Sequence, residues 1–509
     1  MMKNKRAGRG KRLSNRAGKA LEQLPWQTLS NPYAPATILG EEQLEQVHQA
    51  SLEILEQQGL VFLLEDARAL LAEAGADVDE AKKLVKFDRD LVLSNVAKAP
   101  ASFTLHARNP AHHLTIGGNH LAICSVASAP NCSDLDGGRR TGNHADFRNF
   151  IRLGQSLNIM HMFGGYPVEP IDLYPDSRHL DCVYDFLTLS DKAYVIYSLG
   201  QQRNIDALEM TRIGYGLSDA EFDRTPCLST IINANSPLTY DEPMLRGIIE
   251  MARRNQVSVI TPFTLAGAMA PVTIAGALAQ QNAEALAGIA FSQIIRPGSP
   301  VVYGGFTSNV DMKSGAPAFG TPEYMLAATA GGQLARRYGL PYRSSNVNAA
   351  NSVDAQAAYE SVFSLWGAVN GHCNMLMHGL GWLEGGLCAS FEKMILDADL
   401  LQMVACYLRG IDINQDTLAL GAIKEVGSGG HFFGTEHTQA RYEQAFYAPM
   451  ISDWRNFESW LEMGSPQAHE KANALYKQAL EQYRPPPMDA AIKEELESYV
   501  ANGKLTLKS

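Results

Sequence analysis

Long apolar runs are missing from this sequence. Its 509 residues contain no stretch of about eighteen consecutive apolar residues, the length that a membrane-spanning helix requires. The basic first residues are not followed by the apolar segment of a secretory signal. We therefore expect a protein that neither spans a membrane nor is exported.

Paired cysteines are missing as well. The seven cysteines are scattered, none forms a C-x-x-C pair, and their odd number argues against a disulfide framework. Such a pattern is typical of a reducing compartment, where thiols stay free. The sequence thus predicts a cytoplasmic protein whose thiols are buried.

Several motifs of common enzymes do not occur. There is no G-x-G-x-x-G and no P-loop, which removes the usual support for dinucleotide-binding and nucleotide-kinase folds. No H-E-x-x-H and no paired Cys/His spacing is present, so we expect no metal site. The absence of a G-x-S-x-G elbow weakens the case for a Ser-His-Asp hydrolase.

Acidic residues are absent from the first twenty positions, which carry eight Lys/Arg. With a net charge of −11 overall, the rest of the chain is strongly acidic, near −19. An acidic body makes nucleic acid an improbable partner, because the phosphate backbone repels it. The tail 1–20 is either a disordered, solvated terminus or an electrostatic arm for an acidic protein partner.

The remaining composition is that of a globular protein, with 46% hydrophobic and 19% charged residues. Residues 21–115 combine helical periodicity with alternating, hairpin-like runs, which predicts an N-terminal helix and hairpin cap. Residues 410–509 are mainly helical, apart from a break at three consecutive prolines, and are expected to pack on the central domain as an extension.

Residues 116–409 repeat one unit eight times. Short apolar, β-branched runs alternate with longer helical stretches, and eight such units predict a closed (β/α)8 TIM barrel rather than an open sheet. The strand candidates are HLAICSVAS, IMHMFGG, AYVIYSL, CLSTIINAN, VSVITPF, PVVYGGF, YRSSNVNA and CNMLMHGLG.

Active sites of such barrels lie at the carboxyl ends of the strands. Small amides and hydroxyls cluster after the seventh strand, at Ser345, Asn346, Asn348 and Asn351. These side chains either form a binding site or are the polar residues that commonly follow the end of a strand. Asp354 is also a candidate for the N-cap of the next helix. Aromatic residues at other strand ends and few charges suit a small cation, held over ring faces by cation–π attraction.

At this point the sequence resembles the trimethylamine methyltransferase family, (β/α)8 barrels that move a methyl group from an amine to a corrinoid protein. The matching segments span nearly the whole chain: RAGRGKRLSNRAGKA, LEQVHQASLEILEQQG, DAQAAYES, GWLEGGLCASFEKMILDADLL and GGHFFGTEHTQARYEQAFYAPMISDW. Family members that use trimethylamine carry pyrrolysine just before the segment like DAQAAYE. This chain has ordinary residues there, with Asn351 near the pyrrolysine position.

Without pyrrolysine, this chain lacks the electrophile of the family members that use trimethylamine, and this limits the substrates that it can demethylate. A free tertiary amine is a poor methyl donor, whereas a quaternary ammonium leaves as a neutral amine and needs only to be positioned in line with the Co(I) nucleophile. By resemblance to the pyrrolysine-free branch we expect a quaternary amine:corrinoid methyltransferase, with glycine betaine the first expected substrate. Carnitine and proline betaine are alternative donors.

Ten residues are our candidates for this substrate site. We assign the cation cage to Tyr303, Phe306, Tyr359 and Trp382. The carboxylate or hydroxyl end is assigned to Arg343, Asn346, Gln356 and His378. Asn351 belongs to the same pocket, and Glu384 either offsets the ammonium charge or pairs with a structural Arg or Lys.

The corrinoid is expected on a separate protein, because no His here has an Asp two residues before it, as the D-x-H-x-x-G pattern requires. Two other function classes remain open. One is a non-catalytic protein that binds quaternary amines; the other is a barrel lyase or hydrolase with its own pair of carboxylates. A homo-oligomer is also compatible with the sequence.

Overall fold

Eight parallel strands close into a barrel in the computed structural model, which describes residues 21–507. We number the barrel strands β1–β8: His120–Ser125, Met162–Phe163, Ala193–Tyr197, Leu228–Ile232, Val257–Ile260, Val301–Gly304, Tyr342–Ser345 and Met375–Leu380. Each strand pairs with the next in parallel register, and β8 pairs with β1. The predicted (β/α)8 barrel and its eight strands are confirmed.

One main helix follows each strand. The helices α1–α8 are His144–Ser156, Arg178–Leu189, Gln201–Gly214, Glu242–Arg253, Ile274–Ile295, Pro322–Arg337, Ala355–Asn370 and Phe391–Tyr407. Several begin at a side chain that caps the first backbone N–H groups: Asp354, the candidate N-cap, accepts hydrogen bonds from the N–H groups of Gln356 and Ala357. Ser390 caps α8 in the same way.

The core has two shells, one inside the barrel and one between the barrel and its helices. Alternate strand residues such as Cys124, Val195, Val259 and Met377 fill the inner shell. The N-terminal end of the barrel is closed by the antiparallel hairpin Ser102–Leu105 and Leu114–Gly117, whose apolar residues join that inner shell. Because this end is closed, a substrate can enter the barrel at the carboxyl ends of the strands.

The N-terminal part of the described chain packs on the outside of the barrel. Helices Glu41–Glu53 and Arg89–Val96 lie on α5, which is buried along most of its length. Further elements of this region are strand Leu29–Ser30, the π-helical turn Ile54–Gln58, helix Glu65–Glu73, the 3-10 turn Pro110–His112 and strands Leu60–Phe62, Asp77–Asp79 and Leu84–Lys86. The predicted basic tail 1–20 lies outside the described residues.

Two small sheets stand at the mouth of the barrel. Phe263–Ala266, Phe306–Val310 and Pro317–Ala318 form the first, and Asn131–Asp134, Gly138–Thr141, Trp382–Leu383 and Cys388–Ser390 form the second. Strand Thr239–Tyr240, helix Asp219–Phe222 and the 3-10 turn Glu384–Gly386 complete the loops. These sheets fix the directions of the side chains that surround the opening.

The C-terminal region contains two long helices that pack on the barrel and, before them, several short helices. Helix Ala468–Gln482 packs on α8 and α1, and helix Ala490–Thr506 packs on α2 and α3. Between α8 and these helices the chain forms only short helices: Gln415–Leu418, Leu420–Val426, Glu436–Gln439 and Phe457–Glu462. The predicted extension therefore packs on the barrel through its last two helices, while residues 411–464 stay largely exposed.

All seven cysteines are free thiols; six are buried, and Cys406 is half-buried. Within residues 21–507, no helix is both long and apolar enough to cross a membrane.

Candidate active site

A cavity of about 450 Å³ opens at the carboxyl ends of the barrel strands. Its wall combines aromatic rings, hydroxyls, one arginine and one carboxylate. The side chains that matter below are Glu169, Tyr197, Thr261, Phe263, Phe306, Arg343, His378 and Trp382. Its position is the one that a (β/α)8 barrel reserves for chemistry.

The aromatic wall is built by the two small sheets. Phe263 and Phe306 are paired in register on neighbouring strands, and their ring centroids lie 5.0 Å apart. Trp382 approaches from the second sheet, with its ring centroid 6.3 Å from that of Phe306. A Cβ on Gly386, which has a φ of +99°, would lie 2.6 Å from the Trp382 ring, so this position of GWLEGGL needs glycine.

Arg343 points from β7 into the barrel as a buried cation, and it forms no ion pair within residues 21–507. One terminal NH of its guanidinium donates to the carbonyl of Gly305 at 3.2 Å, and its Nε has no partner among the described residues. The guanidinium carbon lies 4.9 Å from the centroid of the Phe306 ring. Burial lowers the pKa of Arg343. Because an unpaired buried charge is costly, this site calls for an anion.

Other donors on the cavity wall also lack partners. Thr261 Oγ1 and Trp382 Nε1 are buried and make no hydrogen bond within residues 21–507. Together with Arg343 Nε, they offer hydrogen bonds to a ligand that carries acceptor oxygens. A carboxylate has that chemistry.

His378 reaches the cavity because the backbone of β8 is irregular. The register between β8 and β1 shifts near this residue, and His378 has a φ of +55°. Its Nδ1 lies 3.2 Å from Ser345 Oγ, and its ring centroid lies 4.0 Å from that of Trp382. Burial and the neighbouring Arg343 hold the pKa of His378 well below its usual range. The imidazole is therefore neutral and adds no second positive charge.

Glu169 and Tyr197 line the cavity without having been predicted. Tyr197 ends β3, and its hydroxyl accepts a hydrogen bond from Ser128 at 2.8 Å. Glu169 lies in the loop after β2, where burial raises the pKa of its carboxyl although Arg178 lies 3.6 Å away. The position of Tyr197 at a strand end was a usable signal; that of Glu169 was not, since it depends on how a long loop folds back.

Comparison with known proteins identifies the family. Residues 5–507 match the trimethylamine methyltransferase (MTTB) family. The chain belongs to this family. It is 37% identical over 465 residues to a glycine betaine methyltransferase of Desulfitobacterium hafniense (strain Y51), covering 91% of this chain and 96% of that protein. It is 28% identical to the trimethylamine methyltransferase MttB2 of Methanosarcina mazei, covering 90% and 93%.

Among solved structures, the monomethylamine methyltransferase MtmB of Methanosarcina barkeri matches with a TM-score of 0.47 and 10% sequence identity, covering 90% of this chain and 92% of that one. Within the described part of this methyltransferase, no group of three or more His, Cys, Asp or Glu side chains is arranged to hold a metal ion.

Four of the ten predicted site residues of this methyltransferase line the cavity: Phe306, Arg343, His378 and Trp382. Two others are buried but lie elsewhere. Tyr303 points outward from β6, where its hydroxyl donates to Asn282 Oδ1 of α5 at 2.9 Å. The Asn346 amide donates to the carbonyl of Gly379 at 3.0 Å and joins β7 to β8.

The remaining four lie outside the cavity for separate reasons. Asn351 is exposed in the loop before α7, and Gln356 is exposed in its first turn, where its amide donates to Glu360. Tyr359 is 61% exposed on the outer face of α7. Glu384 accepts hydrogen bonds from Arg139 Nε on both carboxylate oxygens at 3.0 Å, which is the structural pairing that the sequence left open.

Proposed function

We propose that this enzyme moves a methyl group from a carboxylated quaternary amine, glycine betaine first, to the Co(I) of a separate corrinoid protein. The observation that carries the proposal is Arg343, a buried cation beside an aromatic wall that has no counter-charge in the part of the chain that the structure describes. A betaine supplies both missing partners, a carboxylate for the guanidinium and an ammonium for the rings. The similarity to a glycine betaine methyltransferase supports the same substrate.

The arrangement of the wall sets the orientation of the substrate. Arg343 lies within β7, deeper than Phe263 and Trp382, which follow the ends of their barrel strands. A carboxylate bound by Arg343 and Thr261 therefore directs the ammonium outward, toward the aromatic rings and the Glu169 carboxylate. One N-methyl group then faces the opening, where the corrinoid of a partner protein approaches.

The reaction needs no proton transfer from this chain. The electron pair of Co(I) attacks the methyl carbon, the C–N bond breaks, and its electron pair stays on nitrogen, giving methyl-Co(III) and a neutral tertiary amine. The enzyme contributes by fixing the N–CH3 bond in line and by excluding water. A neutral His378 fits this role, since it borders the cation site without repelling an ammonium.

A spectral assay tests the proposal. Purified enzyme is mixed with Co(I) cobalamin, or with a cognate corrinoid protein, and glycine betaine, carnitine, proline betaine or trimethylamine is added. We expect methyl-Co(III) with glycine betaine and none with trimethylamine. Methyl transfer from trimethylamine alone would contradict the proposal. Betaine binding by calorimetry without transfer to any corrinoid would identify a binding protein instead.

Glu169 gives this activity an expected pH dependence. Because burial raises the pKa of the Glu169 carboxyl, its charge is lost at a higher pH than in a free glutamate. The carboxylate favours the ammonium only when ionised, so betaine affinity is fully present above that pKa and falls as the pH is lowered through it. Calorimetric titration from pH 8 to pH 5 should show this loss.

The variant Glu169→Gln separates charge from shape. It should bind glycine betaine about two- to fivefold more weakly at pH 8, a moderate effect because the carboxylate is partly exposed and already faces Arg178. Its affinity should also change less with pH. An unaltered pH profile in this variant would remove Glu169 from the site.

A further inference from the structure

Helix α5, which is buried from residue 277 to residue 293, carries a cluster of polar side chains in its middle. The residues around this cluster are mainly Ala, Leu, Ile and Gly, as is typical of a helix that is buried on all sides. The cluster consists of Gln280, Gln281, Asn282 and Glu284, each at most 7% exposed. Because a buried polar group is costly unless it is hydrogen-bonded, this cluster needs partners on the elements around α5.

Gln280 and Glu284 hold two loops at the mouth of the barrel. The Gln280 amide donates to the carbonyl of Met269, in the loop after β5, at 2.9 Å. The Glu284 carboxylate accepts hydrogen bonds from Ser236 Oγ at 2.6 Å and from the backbone N–H of Leu238 at 2.7 Å, both in the loop after β4. The middle of α5 therefore supports loops that surround the cavity.

Gln281 lies directly behind the aromatic wall of the cavity. In the sheet that carries the paired rings of Phe263 and Phe306, the next residue pair is Thr264 and Thr307. Side chains alternate along a strand, so the rings face the cavity while the two threonines face α5. The threonine hydroxyls are hydrogen-bonded to each other, and Thr307 Oγ1 donates to Gln281 Oε1 at 2.6 Å. One buried amide thus holds both strands, and with them both rings, against α5.

The same amide packs on the backbone segment that Arg343 contacts. A Cβ placed on Gly305 would lie 3.2 Å from Gln281 Nε2 and 3.3 Å from Gln281 Oε1, so the carboxamide lies close against this glycine. The carbonyl of Gly305 accepts the hydrogen bond from the Arg343 guanidinium, and its N–H donates to the carbonyl of Arg343, both at 3.2 Å. Gln281 Nε2 also donates to the Tyr303 hydroxyl at 3.4 Å. Gln281 is therefore placed behind the aromatic rings and behind the guanidinium at once.

We propose that Gln281 is a positioning residue for the substrate site: it holds the paired rings and the Gly305 carbonyl in place relative to Arg343. This inference rests on the proposed function, in which the rings bind the ammonium and the guanidinium binds the carboxylate. An apolar side chain would fill the same space, but a hydrogen bond to Thr307 also fixes a distance and a direction. Direction matters here because a displacement of about 1 Å in a site that works by alignment can lower the rate about a hundredfold.

Steady-state kinetics and calorimetry on the full chain test this. Gln281→Met and Thr307→Val each remove the hydrogen bond at nearly constant volume. Each should lower kcat/KM for glycine betaine about 10- to 100-fold and raise its Kd about three- to tenfold, as a displaced cation site would. Thr307→Ser keeps the hydroxyl and should stay within about twofold of the wild type. A variant that is merely less stable would lose binding sites per chain and keep the Kd of the sites that remain.

Gln293→Met is the matched control. Gln293 is a second buried glutamine of α5, and its amide donates to the carbonyl of Ser299 at 2.9 Å, in the turn before β6 and away from the cavity. This variant loses the same kind of buried hydrogen bond and should keep the wild-type Kd for glycine betaine.

Hydrogen–deuterium exchange without substrate separates this inference from the proposed function. Gln281→Met should speed exchange in residues 261–272 and 305–319, which include the strands of the aromatic wall, whereas Gln293→Met should speed it in residues 296–300. A wild type that neither binds nor demethylates glycine betaine would contradict the proposed function, and the exchange data would still show whether Gln281 holds the wall. Wild-type exchange in both segments, or faster exchange at the wild-type Kd, would overturn the positioning role. Should Gln281→Met fail to fold, the comparison of Thr307→Val with Thr307→Ser decides, and equal losses in these two variants would overturn the proposal.

Discussion

Replacing Arg343 by methionine is expected to lower kcat/KM for glycine betaine by roughly 30- to 5,000-fold. The guanidinium is the one buried cation on the cavity wall, and its Nε is without a partner among residues 21–507. Removing one member of a buried, hydrogen-bonded charge pair costs about 2–5 kcal/mol, which corresponds to roughly 30- to 5,000-fold. Methionine has a similar length and fills the space without the charge.

The fold should survive this change. Because no carboxylate of the described chain pairs with Arg343, its replacement removes an uncompensated buried charge, and the variant should unfold at the same temperature or higher. Steady-state kinetics and thermal unfolding of Arg343→Met measure the two effects. Arg336→Met, at an exposed arginine that donates to the carbonyl of Gly371 at 2.7 Å outside the cavity, controls for losing a guanidinium. An unchanged KM in Arg343→Met would contradict the assignment.

Replacing Asp397 by alanine is expected to destabilise the fold by about 3–5 kcal/mol, as breaking a buried ion pair does. Asp397 accepts a hydrogen bond from Lys393 Nζ at 2.5 Å, and both side chains are 2% exposed. Its other oxygen accepts one from the backbone N–H of Gly381 at 2.9 Å, directly before Trp382. Alanine leaves the buried Lys393 ammonium without its counter-charge, with Ser361 Oγ at 2.8 Å as its remaining hydrogen-bond acceptor, and it leaves the N–H of Gly381 without Asp397 as acceptor.

Chemical denaturation followed by circular dichroism measures this cost. Lys493→Ala is the matched control, since Lys493 and Glu497 form an i, i+4 pair at 4.0 Å that is about half exposed and should contribute less than about 0.5 kcal/mol. The double variant Lys393→Met/Asp397→Leu should be more stable than Asp397→Ala, because no unpaired charge remains. A loss below 1 kcal/mol in Asp397→Ala would contradict a supporting role for the pair.

The barrel was predictable from the sequence because its signal is repeated. Each strand is a short apolar run followed by a helical stretch, and the count of eight closes the sheet. Phe306, Arg343, His378 and Trp382 line the cavity because they lie at or after strands whose ends must meet at one face. Their positions along the chain were therefore sufficient to predict that they face the cavity.

The sequence did not predict which side chains of each strand face the barrel interior and which face the helices. In β6, Val302 faces the barrel interior while Tyr303 faces α5, and both are apolar enough for either side. A shift of one residue exchanges the two faces. Tyr303 therefore looked like a cage residue, although its hydroxyl serves the contact between strand and helix.

Two residues of the DAQAAYES segment, Gln356 and Tyr359, were predicted in the substrate site for a different reason. The polar residues of this segment instead stabilise the start of α7: Asp354 caps the helix, and Glu360 accepts hydrogen bonds from the backbone N–H groups of Ala349 and Ala350. Gln356 and Tyr359 then point away from the cavity. Glu169 was missed because no local pattern records which loop folds over the opening.

The hairpin that closes the N-terminal end of the barrel constrains the order of events in catalysis. With Leu105 and Ile116 packed among the inward strand residues, the N-terminal end of the barrel is closed among the described residues, and the cavity opens at the carboxyl ends of the strands. In the proposed reaction a corrinoid protein docks at that opening. In the proposed reaction the quaternary amine must therefore bind before the corrinoid protein docks, and the demethylated amine leaves only after it departs. In the proposed reaction the plugged barrel thus imposes a compulsory order, in which the quaternary amine binds first and the demethylated amine leaves last.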